Sequence, residues 1–217
     1  SKKDYSKAIK YLHVTKTLSL TNDEIIERSF KLGYAFFVKK RFSESKKEVQ
    51  KVKEVNESEF YEPSNYYYGI LEFFDDNYKS ALGSFKRVEN SNRYKHVIPY
   101  YVCQLYFAQG QYDELLSYGT EKLKNSNIKN RKEINQMIGQ AYFERKDYKK
   151  ALPYLEEFTD NSSKLREEDL YQVAYTQYQN KKYLAAIRNF EELTGLKNKI
   201  GQNALYNLAD CQLRVGD

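Results

Sequence analysis

The sequence predicts an all-α fold, a solenoid of stacked antiparallel helix pairs. Three observations predict it. A turn-like phrase recurs along the 217 residues, as "KKDYSKAIKYL", "DNYKSALGSFKRV", "RKDYKKALPYLEEF" and "KKYLAAIRNFEEL". Its aromatic residue falls at Tyr5, Phe42, Tyr78, Tyr112, Tyr148 and Tyr183, so successive copies lie 37, 36, 34, 36 and 35 residues apart. Such a period belongs to arrays of helix–turn–helix units. Finally, three prolines and nine glycines are too few to punctuate many short strands.

The second helix of each unit starts at the turn. Three residues after the aromatic stands a small residue, Ala8, Ser45, Ala81, Ala151 or Ala186, with Leu115 the exception. Four further on stands a larger apolar one, Leu12, Val49, Phe85, Leu155 or Phe190, with Gly119 the exception. Spacings of three and four share a helical face. The small residue lets the partner helix come close, and the large one fills the space beside it. Asp147 is the expected N-cap of its helix. Pro153, six residues on, lies past the first turn, where it removes a backbone hydrogen bond and predicts a slight bend.

The first helix precedes the turn. Nine residues ahead of the aromatic lies Gly33, Gly69, Cys103, Gly139 or Ala174, and one period on Ala209, whose turn aromatic is expected at position 218; each is preceded by an apolar residue: Leu32, Tyr68, Val102, Ile138, Val173 or Leu208. Glycine inside a helix costs about 1 kcal/mol relative to alanine. Three glycines at this one register position therefore predict a close helix crossing.

These units resemble the tetratricopeptide repeat, with its W-x2-L-G-x2-Y, A-x3-F and P pattern. "INQMIGQAYFERKDYKKALPYLEEF" matches best, through Ile138-Gly139, Tyr142, Tyr148, Ala151 and Leu155. The tryptophan site is instead Ser29, Asn65, Pro99, Asn135, Leu170 or Leu205, and the closing proline is missing. "GQYDELLSYG" departs furthest, so its second helix is expected to pack least tightly. The resemblance implies a right-handed superhelix and one array over 1–217. A second helix would fill 1–20, helix pairs 24–58, 61–94, 97–128, 131–163 and 167–197, and a first helix 200–217. Ala8, Leu12, Leu205 and Leu208 would then keep partly open apolar faces. Either the chain is a piece of a longer array or neighbouring molecules cover those faces by end-to-end self-association.

Composition narrows the function. A net charge of +6, from 36 basic and 30 acidic residues, is too mild to imply nucleic acid by itself. Cys103 and Cys211 have neither disulfide-framework nor zinc spacing. No run approaches the roughly 20 apolar residues that cross a bilayer. His13 and His96 stand alone. Cys103 reads as a buried hydrophobe and Cys211 as less constrained. The acidic pairs Asp75-Asp76, Glu156-Glu157, Glu167-Glu168 and Glu191-Glu192 diverge by about 100° on a helix, as solvated faces do. No phosphate loop, HExxH or GxSxG occurs, so no enzyme, metal or cofactor is expected.

The resemblance places a partner-binding groove on the first helices, 12, 8 and 5 residues before each turn aromatic. The residues are Phe30, Tyr34, Phe37; Tyr66, Ile70, Phe73; Tyr100, Gln104, Phe107; Gln136, Gln140, Phe143; Tyr171, Tyr175, Tyr178; and Tyr206, Asp210, Leu213. Tyr and Phe are low-entropy anchors at interfaces. The Lys, Arg and Asn with which chaperone-tail binders of the family clamp a carboxylate are not among them. A non-catalytic scaffold gripping a protein or peptide segment is the leading expectation. The alternatives are an RNA-binding helical repeat and a purely structural segment of a larger complex. In its Lys/Asn/Tyr/Phe-rich usage the chain is also similar to long tetratricopeptide proteins of the Bacteroidota cell envelope, which implies a periplasmic or outer-membrane-associated role.

Overall fold

The computed structural model describes residues 4–15, 19–160 and 165–216. Among them are twelve α-helices and no strand. They group into two compact units, Ser1–Leu105 and Tyr106–Asp217. The helices are α1 (Tyr5–Val14), α2 (Asn22–Val38), α3 (Phe42–Gln50), α4 (Tyr61–Phe74), α5 (Tyr78–Val88), α6 (Ile98–Ala108), α7 (Tyr112–Leu123), α8 (Arg131–Glu144), α9 (Tyr148–Thr159), α10 (Glu167–Gln179), α11 (Tyr183–Glu191) and α12 (Lys199–Val215). The division falls within α6, in the repeat whose second helix departs furthest from the pattern. Every turn aromatic is the first residue of its helix.

One turn geometry is used five times. Two residues before the aromatic, Lys40, Asp76, Gly110, Lys146 and Lys181 all have φ between 58° and 67°. The next residue then donates its N–H back to a carbonyl five positions earlier: Arg41 to Phe36, Asn77 to Glu72, Gln111 to Tyr106, Asp147 to Tyr142 and Lys182 to Gln177, at 2.8–2.9 Å. This closure satisfies an orphan carbonyl of the first helix and turns the chain sharply into the second. Asp4 and Asp147 cap their helices by accepting from the N–H of Lys7 and Lys150.

Contacts across the turn widen symmetrically, as an antiparallel pair requires. A Cβ built on Gly33 would lie 2.8 Å from Val49 Cγ1, one on Gly69 2.7 Å from Phe85, and one on Gly139 2.6 Å from Leu155. Each glycine thus faces the large residue of its own second helix. Ser45 fits the small position and donates its hydroxyl to the Gly33 carbonyl at 2.8 Å. Val49, Phe85, Leu155 and Phe190 are at most 1% exposed, each contributing about 1.5–3 kcal/mol by burial.

Proline placement follows backbone rules. Pro63 and Pro99 lie in the first turns of α4 and α6, where a missing N–H costs nothing. Pro153 lies inside α9, which runs unbroken from Tyr148 to Thr159. It stands on the exposed face, so the carbonyl deprived of its donor is on the solvated side.

Within the first unit α2 packs on α1, α3 and α4; within the second α10 packs on α8, α9, α11 and α12. First helices therefore pair in sequence, α2 with α4, α8 with α10 and α10 with α12. Each unit presents a layer of first helices.

Candidate protein-binding face

In the first unit, Phe30, Tyr34, Phe37, Tyr66, Phe73, Tyr100 and Gln104 are half-buried, while Ile70 is 6% exposed. Most of the rings join one network. Phe30 stacks on Tyr34, with centroids 6.2 Å apart, and Tyr34 reaches Tyr67 at 5.2 Å. Phe37 meets Tyr67 at 4.8 Å, and Tyr66 meets it at 5.3 Å. Tyr66 stacks at 4.4 Å on Tyr94, which burial pushes up to about 12. Burial also raises the Tyr66 and Tyr67 hydroxyls above the ordinary tyrosine range, so these rings stay neutral. Gln104 Nε2 donates to Tyr100 Oη at 2.8 Å.

The second unit repeats the theme. Phe107, Gln136, Gln140, Phe143, Tyr171, Tyr175, Tyr178 and Asp210 are half-buried, whereas Tyr206 is 78% exposed and Leu213 76%. Tyr175 joins Phe143, Tyr148 and Tyr171 at 5.6–6.0 Å. Asn207 Nδ2 donates to Tyr171 Oη at 3.2 Å. Gln136 Nε2 donates to buried Asp169 at 2.8 Å, which also accepts from Arg166. Asp210 is held below the ordinary carboxylate range, first by Arg214 and then by the Tyr178 hydroxyl.

Five of these side chains have a second task. The aromatic five before each turn meets the turn aromatic itself: Phe37–Phe42, Phe73–Tyr78, Phe107–Tyr112, Phe143–Tyr148 and Tyr178–Tyr183, all at 5.5–6.1 Å. These pairs brace the turn, and such contacts contribute about 0.5–1.5 kcal/mol beyond burial. Sequence reasoning missed Tyr67, Tyr94 and Phe60, the last stacked on Phe30 at 5.0 Å. Tyr67 lies one position outside the expected register, and the other two lie between helix pairs, where no periodic signal exists.

Solved structures provide the comparison of the whole. A tetratricopeptide repeat protein from Parabacteroides merdae matches with a TM-score of 0.64 at 15% identity, over 89% of this chain and 74% of its own. YrrB, described as a TPR protein with an unusual peptide-binding site, matches with 0.66 at 13% identity, over 95% and 100%. The C-terminal part of a TPR repeat-containing protein from Cytophaga hutchinsonii matches with 0.62 at 12% identity, over 98% and 76%. The fold is the tetratricopeptide fold. No protein-family model matches the sequence, and no curated protein matches it either.

The reactive side chains outside this face are placed as follows. Cys103 is fully buried and its thiol is pushed up to about 12 by burial, which makes it unreactive. Cys211 is fully buried as well; the expectation of a less constrained thiol is corrected, because it sits in the core with Ala174, Phe190 and Leu193. His13 is exposed and His96 half-buried. The acidic pairs split between separate partners: Asp75 with Lys46, Glu156 with Lys182 and Glu157 with Arg131. Among the described residues no group of three or more His, Cys, Asp or Glu could hold a metal. None of their helices is long and apolar enough to cross a membrane.

Proposed function

We propose that the chain is a protein-interaction scaffold whose first-helix faces grip an extended or helical segment of a partner polypeptide. The observation that carries this reading is the pair of neutral tyrosine and phenylalanine networks on successive first helices. They leave half-exposed rings, and the Gln104 amide donates to one of them, Tyr100. Aromatic rings already braced by neighbours lose little entropy on binding, and amides supply orientation. The neutral face favours a polypeptide over a phosphate backbone, which needs Lys and Arg to displace counterions. A cell-envelope assembly, in the periplasm or at the outer membrane, is where the partner is to be sought, on the compositional likeness alone.

The test is quantitative affinity capture with the wild-type chain and with the Gln104→Arg, Gln140→Arg double variant. It crowds both faces without removing a ring. Partners should drop out of the variant while its helical circular dichroism is unchanged. A partner set identical for both proteins would sink the reading.

A further inference from the structure

One register position of the repeat changes character between the two units. Four residues before the turn aromatic stand Val38 and Phe74 in the first unit, and Ala108, Glu144 and Gln179 in the second. All five are exposed. A solvated site that is small or polar in the second unit is thus large and apolar in the first, where Phe74 is 66% exposed and Val38 40%. The turn aromatic changes with it. Tyr5, Tyr78, Tyr112, Tyr148 and Tyr183 are half-buried, but Phe42 is 42% exposed and has no hydroxyl to offer water. Phe42 and Phe74 belong to complete helix pairs, α2–α3 and α4–α5.

The two rings form one surface. They stack across neighbouring repeats, with centroids 6.4 Å apart and planes at 20°. Phe42 also meets Phe37, and Phe74 meets Phe73, each at 5.8 Å, so both are held by half-buried rings. A lone exposed apolar side chain is ordinary, but a braced and contiguous pair marks an interaction surface. Charges of opposite sign stand two residues from each ring. Lys40 and Asp76 occupy the same left-handed turn position, both with φ 58°. Arg41 is paired with Glu44, and Asp75 with Lys46. Asp76 accepts from the neutral Tyr78 hydroxyl at 2.7 Å, which leaves its charge in place. At the turns themselves this leaves exposed Lys39 and Lys40 beside Phe42, and exposed Asp76 beside Phe74.

We infer that this turn edge of the first unit docks a stretch of polypeptide of definite chemistry. An aromatic or leucine side chain lies on the Phe42–Phe74 pair, with an acidic residue toward Lys39 and Lys40 and a basic one toward Asp76. The edge is a second surface of the scaffold proposed above, so it rests on that reading, but it needs none of the residues 12 or 8 before the turn. Its opposite charges select a polypeptide, which presents both signs within a few residues. An anionic bilayer satisfies the lysines and repels Asp76. The rings supply the anchor. A ligand side chain laid on Phe74 leaves water at little ordering cost, because the platform is already stacked.

Selection from phage-displayed random peptides of about 12 residues tests this. The library is depleted on the Phe42→Ser, Phe74→Ser double variant and then enriched on the wild-type chain. Both sites are exposed, so the variant should keep the wild-type helical circular dichroism. Enriched peptides should carry an aromatic or leucine between an acidic and a basic residue. They should lose about tenfold in affinity or more on Phe74→Ser alone. The triple variant Lys39→Glu, Lys40→Glu, Asp76→Lys should lose as much, and exchanging the peptide's own charges should restore binding to it. Lysine already holds that turn position at Lys40, Lys146 and Lys181. Binding to the Gln104→Arg, Gln140→Arg variant should be unchanged; a loss there would assign the peptides to the first-helix faces and overturn the edge while leaving those faces standing. Phosphatidylcholine vesicles with about 30% phosphatidylglycerol should not sediment with the chain, and vesicle binding that Phe74→Ser abolishes would give the edge to a bilayer instead. A depleted library that enriches nothing, or peptides without that arrangement of charges, would also overturn it.

Discussion

The lysine at the turn is the residue whose placement says most about how local strain is tolerated. Lys40, Lys146 and Lys181 hold φ near 60°, a conformation in which Cβ crowds the following carbonyl at a cost of about 1–2 kcal/mol. The backbone closure and the ring pair across the turn hold them there. Only Gly110 meets the requirement without strain. Lys146→Gly and Lys181→Gly should each stabilise the chain by about 1 kcal/mol, and Gly110→Ala should destabilise it by about as much. Urea midpoints would show it; a loss of stability in the lysine variants would mean that the closure does not depend on backbone handedness. Charge is legible at the same scale. Glu54 accepts from Arg87 and then from Lys53, which lower it from 4.5 to about 2. A depressed carboxylate stabilises the fold above its unfolded value and loses that contribution as pH falls through its folded one. Glu54 is 59% exposed on its side chain, so the effect is small and salt-screened. The gap in urea midpoint between the wild type and Glu54→Gln should be present at pH 7 and shrink as the pH falls below 4.5. A gap independent of pH would assign it to packing instead.

At the scale of the element, two helix glycines separate packing from propensity. Gly139 in α8 faces Leu155, whose side chain would lie 2.6 Å from an added Cβ; Gly83 in α5 has nothing within 4 Å. Gly139→Ala should therefore cost about 1–3 kcal/mol through overpacking, while Gly83→Ala should gain about 1 kcal/mol from helix propensity alone. Thermal unfolding of the two variants should move in opposite directions, and movement in the same direction would refute the crossing-site account. The helix pairs were readable because one physical demand, small against large across a close crossing, is repeated at fixed spacing. The turn was not readable in the same way. Lys40, Asp76, Lys146 and Lys181 carry no glycine signal, since tertiary contacts override their preference. The face was readable in part. Its rings at 12 and 8 residues before the turn follow the period, whereas Tyr67, Tyr94 and Phe60 owe their places to neighbouring repeats and connecting segments.

At the scale of the whole molecule, stability should be local in a way that a single closed core does not allow. Within each unit, helices pack on their neighbours in sequence and on the next first helix, so a defect there is shared only by adjacent pairs, as in a one-dimensional array. Local opening then has its own free energy, and hydrogen exchange reports it segment by segment. Gly139→Ala provides the defect, inside the second unit. Amide protection in 131–160 should fall by about tenfold for each 1.4 kcal/mol lost, with a smaller fall in α10. Protection in α12 should stay as in the wild type, because α12 packs on α10 and α11 and not on the glycine's own helix pair. A uniform loss along the chain would show that all the repeats open together, and the nearest-neighbour picture would then have to give way to a single cooperative unit.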